Sequence, residues 1–127
     1  ENVQTVSLLP ADLPPVMVDP QQIGQVLENL VTNAYQAMPR GGNLTLEAAA
    51  GNDGLHLSVS DTGVGIPEEN MARLFEPLFS TKSRGVGLGL AVSKMLVEAN
   101  GGRIEVVSQE DRGSTFTLIL PVATDQG

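Results

Sequence analysis

The sequence predicts an α+β two-layer sandwich, with helices covering one face of a mixed, mostly antiparallel sheet. Three observations predict it. Two stretches, Ile23–Met38 and Val86–Ala99, carry apolar residues at helical spacing. Two others, Leu44–Val59 and Ile104–Pro121, alternate as hairpins do. The elements follow in the order strand, helix, hairpin, loop, helix, hairpin, and helices segregated from such a sheet can bury their stripes only against one of its faces. The 127 residues read as one domain, 1–127. A chain of this length buries roughly two-thirds of the surface that its unfolded form exposes, enough for a core without staples.

Each element has its own signals. Val3, Val6 and Leu8 alternate loosely as an edge strand would, before Pro10, Pro14 and Pro15 break the pattern. Val16–Val18 reads as an extended lead-in. Asp19-Pro20-Gln21-Gln22 starts a helix: Asp as N-cap, Pro at the first helical position, Gln22 closing a capping box. Ile23, Val26, Leu27, Leu30, Val31, Ala34, Ala37 and Met38 form its stripe, and Pro39, Gly41 and Gly42 end it. Leu44, Leu46 and Ala48 alternate, Gly51-Asn52-Asp53-Gly54 turns, and Leu55, Leu57 and Val59 alternate again. Residues 68–84 are poorly periodic. The second helix, Val86–Ala99, places Leu88, Ala91, Val92, Met95, Leu96 and Ala99 on one side, and Asn100-Gly101-Gly102 caps it. Ile104–Val107 and Thr115–Pro121 close the chain as a hairpin across Gly113. The tail from Thr124 is expected to fray.

Composition excludes several function classes. Seven basic against fifteen acidic residues leave a net charge of −8, a poor basis for neutralising nucleic-acid phosphates. The absence of Cys removes disulfides, thiol catalysis and thiolate metal sites. A single His, His56, rules out a multi-histidine metal site; it sits within a strand and is given no role. No apolar run is long enough to span a membrane, and no signal peptide is apparent. Three Phe, one Tyr and no Trp leave the core to aliphatic side chains.

Four segments carry polar or glycine signals that a plain core does not need. Asn29 and Asn33, four apart, fall on one flank of the first helix's stripe. Asn is a weak helix former, so two copies mid-helix ask for a reason, and a carboxamide oxygen suits magnesium; ordinary flank polarity is the plain alternative. Asp61-Thr62-Gly63-Val64-Gly65-Ile66-Pro67 follows a strand directly. A carboxylate there, beside an apolar wall, suits an exocyclic amine, and the glycines would admit a ligand to the backbone. Read otherwise, it is a simple turn; the aspartic-protease reading needs a second Asp-Thr-Gly, which only a homodimer would supply. Phe75–Lys82 is an irregular segment with apolar anchors, in the manner of a lid. Gly85-Val86-Gly87-Leu88-Gly89-Leu90 opens the second helix as an anion site would, but its spacing and context fit neither the dinucleotide fingerprint nor a Walker loop.

Together these segments resemble the ATP-binding catalytic domain of sensor histidine kinases in the GHKL superfamily, from about Val16 to Pro121. QVLENLVTNAYQAM is similar to the family's asparagine box, DTGVGIP to the first glycine box, LFEPLFSTK to the phenylalanine box, GVGLGL to the second glycine box and GSTFTLILP to the closing strand. The resemblance implies a Bergerat-type fold, ATP and Mg as bound groups, and an ATP site of Asn29, Asn33, Asp61, Gly63, Gly65, Ile66, Lys82, Gly85, Gly87, Leu88, Gly89 and Thr115. In it Asp61 binds the adenine amine and Asn33 ligates magnesium, with Asn29 close by at the phosphates. Gly63 and Gly65 let the base approach, and Gly85, Gly87 and Gly89 wrap the phosphates under a mobile lid mapped to about residues 76–88. Lys82 contacts ribose or phosphate, and Thr115 supports the adenine end.

Two positions depart from common patterns. Gln36 stands where many members carry Lys or Arg three residues after the magnesium asparagine. Tyr35-Gln36-Ala37-Met38 with Ser80-Thr81-Lys82 is similar to the nitrogen-regulatory type. Gyrase-type and chaperone-type relatives carry a water-activating Glu four residues before the magnesium asparagine, where this chain has Asn29. An amide is no general base, which favours holding ATP for transfer to another nucleophile, mostly by positioning and electrostatics. The acceptor histidine is expected on a dimerisation domain absent from this chain, so the chain is expected to be an excised, monomeric catalytic domain that does not phosphorylate itself. The implied partners are that histidine-bearing domain and a downstream response regulator, with no nucleic acid and no direct membrane contact; the implied place is the cytoplasm, whether or not the parent is anchored to a membrane. The alternatives are a serine kinase of the anti-sigma type, against which Asn29 counts, and a degenerate interaction module, against which the joint presence of Asn33, Asp61 and the lid glycines counts.

Overall fold

A computed structural model describes residues 3–8, 16–75 and 86–122. Asp19 starts helix α1 (Pro20–Gln36): its carboxylate accepts from the backbone N–H groups of Gln21 and Gln22 at 2.9 and 3.2 Å, with Pro20 in the first turn. The reciprocal half of the expected capping box is not formed. The Asp19 N–H donates instead to Asn100 Oδ1 at 2.8 Å, and Gln22 Oε1 accepts from Asn100 Nδ2 at 2.9 Å. Asn100 lies just past helix α3 (Val86–Ala99), where the short helix α2 (Glu68–Met71) also precedes it in the chain. The α3 terminus closes as a Schellman motif, with Gly102 N bonded to Val97 O and Gly101 N to Glu98 O, both at 3.0 Å. One asparagine thus ties the end of α3 to the start of α1.

The α1 stripe is as expected: Ile23, Val26, Leu30, Ala34 and Met38 are buried. The α3 stripe is not. Leu90, Ala91, Ser93 and Val97 are buried, whereas Met95 is 68% exposed and Ala99 faces solvent. This helix is apolar almost all round, so apolar spacing alone does not single out the face that meets the sheet. The poorly periodic stretch after Pro67 contains α2, too short to show a helical period.

Five strands form one sheet: β1 (Val3–Leu8), β2 (Gly42–Gly51), β3 (Gly54–Asp61), β4 (Arg103–Gln109) and β5 (Gly113–Leu120). Their order is β1-β2-β3-β5-β4. β1 runs parallel to β2 and every other pair is antiparallel, which is the mixed, mostly antiparallel sheet expected. A parallel pair needs a crossover, and α1 supplies it. The strands run longer at their ends than the alternation suggested, and the lead-in at Val16 bridges to Val122. Among the described helices none is long and apolar enough to cross a membrane. Lys82, Gly85 and the tail lie outside the described residues.

Register aligns the core in transverse rows. Leu46, Val59, Phe116 and Val106 lie side by side, and Ala48, Leu57, Leu118 and Ile104 form the next row. Both rows face α1 and α3, and burying a side chain such as Leu118 contributes about 1.5–3 kcal/mol. On the other face Ile119 is only 2% exposed. It lies between His56 and Arg103, and Asp53 joins those two, at 2.7 Å to His56 Nε2 and 2.8 Å to Arg103 Nη2. The bonds from His56 and Arg103 hold the Asp53 carboxyl at a pKa of about 2. His56 therefore belongs to a surface ion-pair chain that covers an isoleucine.

Candidate functional site

One row beyond Val59 and Phe116, the inner face turns polar. Leu44, Asp61, Ser114 and Ser108 lie side by side on β2, β3, β5 and β4. Asp61 and Ser114 are 8% and 6% exposed. A buried carboxylate is costly unless hydrogen-bonded, and Asp61 Oδ1 accepts from Gly63 N at 2.8 Å. Ser108 Oγ accepts from Ile66 N at 2.8 Å, contacts Ser114 Oγ at 2.7 Å and donates to Gly113 O at 3.1 Å.

The glycine loop after Asp61 closes over this end of the row. Val64 N donates to Ala37 O at the end of α1 (2.9 Å), and Val64 O accepts from Asp111 N in the β4–β5 turn (2.6 Å). Thr62 Oγ1 accepts from Asn43 N at 3.0 Å. Gly63 and Gly65 were expected to make room for a base. A Cβ on Gly63 would stand 2.1 Å from Ala37 O, and one on Gly65 would stand 2.1 Å from Gln109 O. The space that these glycines leave is filled by the protein's own backbone. Their first function is to let the loop pack between α1 and the last hairpin.

Thr115 also departs from expectation. It lies opposite Ser60, and the two hydroxyls are bonded at 2.8 Å on the face of the sheet away from the helices. The side chain beside Asp61 is that of Ser114. Strand side chains alternate, so Ser114, two residues before buried Phe116, shares its face and Thr115 does not. That parity was legible in the sequence.

Asn29 and Asn33 are both partly exposed on α1, as the flank position required. Asn29 Nδ2 donates to Ser93 Oγ on α3 at 3.3 Å, and Ser93 is fully buried. Asn33 lies one turn before Ala37, whose N–H bonds its carbonyl at 3.0 Å, and so one turn from the loop contact. Among the described residues no cluster of three His, Cys, Asp or Glu could hold a metal. The donor set on offer is neutral carboxamide oxygen. That suits magnesium, which keeps waters and substrate phosphates around it and needs no all-protein cage. Gly87, Leu88 and Gly89 fall within the first turns of α3; Leu74 is buried and Phe75 packs on the core, and the rest of the phenylalanine-box segment lies outside the described residues.

Known proteins are similar to this chain in sequence and fold. The family model of histidine kinase-, DNA gyrase B-, and HSP90-like ATPases matches residues 18–124. Sensor histidine kinase ZraS of Escherichia coli K12 is 47% identical over 110 residues, 87% of this chain and 24% of that protein. Sporulation kinase E of Bacillus subtilis is 42% identical over 122 residues, 95% of this chain and 16% of that protein. The chain thus spans a quarter or less of these two relatives. Among solved structures, full-length ShkA in complex with AMPPNP superposes with a TM-score of 0.84 at 32% identity, covering 98% of this chain and 27% of that one. The nucleotide-free catalytic domain of histidine kinase ThkA gives 0.83 at 32% identity, covering 95% and 80%.

Proposed function

This chain belongs to the histidine kinase-, DNA gyrase B- and HSP90-like ATPase family, and on that premise we propose that it binds ATP with magnesium and donates the γ-phosphoryl group to a histidine on another segment of a two-component sensor kinase. The observation that carries the reading is Asp61: a buried carboxylate, oriented by Gly63 N, at the polar end of an otherwise apolar sheet face. Such a group suits the exocyclic amine of adenine. The AMPPNP bound by ShkA supports a nucleotide here.

Asn33 would hold the magnesium through its side-chain oxygen, and the ion would neutralise phosphate charge. Asn29, fixed by Ser93, stands where hydrolysing relatives carry a Glu, and an amide takes no proton from water. Transfer to a histidine is therefore favoured over hydrolysis: its ring nitrogen bonds to the γ-phosphorus as the bond to the β–γ bridging oxygen breaks, leaving ADP. Gly85, Gly87, Leu88, Gly89 and Lys82 belong to this proposal as phosphate-end contacts, and a response regulator as the next acceptor.

The test is calorimetric titration with AMPPNP, with and without magnesium, in the native chain and in Asp61→Asn. Saturable binding that needs Asp61 and tightens with magnesium is expected. Absence of binding at millimolar nucleotide would overturn the reading. Phosphoryl transfer is then followed with labelled ATP and the histidine-bearing segment of the parent protein.

A further inference from the structure

Asn100 is followed by Gly101, and no other asparagine of the chain precedes a glycine. That pairing is the one most prone to lose its amide, because glycine has no side chain to shield its backbone nitrogen. Gly101 N, on giving its proton to solvent, attacks Asn100 Cγ. The Cγ–Nδ2 bond breaks, ammonia leaves with a proton from water, and a cyclic imide remains. Water then opens either carbonyl of the ring, leaving aspartate or isoaspartate. The net change is one water consumed and one ammonia released.

The fold opposes the first step twice. Gly101 N–H donates to Glu98 O at 3.0 Å within the Schellman closure, which holds the proton that must leave. The Asn100 amide is fixed through both of its polar atoms: Oδ1 accepts from Asp19 N at 2.8 Å, and Nδ2 donates to Leu96 O at 2.8 Å and to Gln22 Oε1 at 2.9 Å. Its oxygen and nitrogen cannot exchange places, since a backbone N–H only donates and a carbonyl only accepts. Cγ cannot turn onto Gly101 N while these bonds stand. The product, in turn, cannot remake them. An ionised carboxylate has no proton to give, so it sets oxygen against Leu96 O. It also adds an anion at the negative, C-terminal end of α3. Isoaspartate lengthens the backbone as well, which pulls Gly101 N and Gly102 N away from their partners.

We propose that Asn100 is a spontaneous deamidation site gated by the bonds between α1 and α3: it converts only when that end of the two helices opens locally, and conversion prevents the end from closing again. The modification needs only water and runs one way. It loosens the two helices that carry the candidate site as the protein ages.

The experiment incubates the full chain in warm, mildly alkaline buffer and follows the tryptic peptide 95–103 by mass spectrometry. In strong urea Asn100 should convert faster than every other asparagine. In the folded chain it should lag its unfolded rate by at least about tenfold, the worth of the clamp's hydrogen bonds. Gln22→Ala removes one of those bonds and should speed conversion about fivefold over the native chain. Val59→Ala, which weakens the sheet and leaves the clamp intact, should keep the native rate. If Gln22→Ala does not fold, the native chain in urea below its unfolding transition decides, and its rate at Asn100 should already climb. Equal rates in folded and unfolded chains would overturn the proposal. So would a folded Gln22→Ala that converts no faster than the native chain, or a Val59→Ala that converts as fast as Gln22→Ala, since the gate would then be global unfolding. The converted chain should unfold at a lower urea concentration; an unchanged midpoint would show that the product recloses the clamp, and would overturn the one-way release.

Discussion

The side-chain amide of Asn100 donates to Gln22 Oε1 at 2.9 Å and to Leu96 O at 2.8 Å, while its oxygen accepts from Asp19 N at 2.8 Å. The two helices that carry the candidate site are therefore locked at one end by a single residue. Asn100→Ala should lower stability by about 1–3 kcal/mol, since it strips partners from a backbone N–H and a glutamine. A lower urea midpoint at unchanged slope would show it; an unchanged midpoint would mean that water replaces the asparagine at no cost.

Gly63→Ala separates two uses of a glycine. If the residue serves only to admit a ligand, the variant folds as well as the native chain. The approach of Ala37 O instead predicts a destabilisation of about 1–3 kcal/mol, typical of forced overpacking, measured by thermal unfolding without nucleotide.

The α3 faces can be told apart by a pair of variants. Met95→Lys, on the 68% exposed side, should change stability by no more than about 0.5 kcal/mol. Val97→Ala, at a fully buried position, should cost about 2 kcal/mol. Equal effects would restore the face that the apolar spacing suggested.

Asp53 gives a pH signature. Its carboxyl is depressed from 3.8 to about 2 by His56 and Arg103. A depressed acid stabilises the fold above its unfolded pKa and loses that contribution as pH falls through the folded value. The stability difference between native chain and Asp53→Asn should therefore shrink as pH falls from 4 to 2, roughly the interval between the two pKa values. The group is exposed, so the difference should be small and weaken in salt. A difference that stays flat through that window would exclude the linkage.

What the sequence disclosed follows from where its signals are local. Caps, turns and alternation place both helices and both hairpins, because Asp19-Pro20, Gly51–Gly54 and Asn100-Gly101-Gly102 act on their own neighbours. The edge strand's parallel pairing depends on a contact with β2 across α1, which no local pattern encodes. Motif spacing singled out Asp61 and the asparagines as candidates. It named Thr115, whereas the register puts Ser114 beside Asp61, because one residue of register exchanges the faces of a strand. It missed Ser93 and Ser108 because a lone serine carries no pattern until a distant element arrives beside it.

Val64 is held by both of its backbone groups, from Ala37 on one side and Asp111 on the other. Residues far apart in the chain thus set the shape of the loop before any ligand is present. Its conformational entropy is lost when the protein folds, so association at this end carries no further ordering cost. The amides of Val64 and Asp111 should then exchange with deuterium slowly in the free protein, and a bound base should change them little.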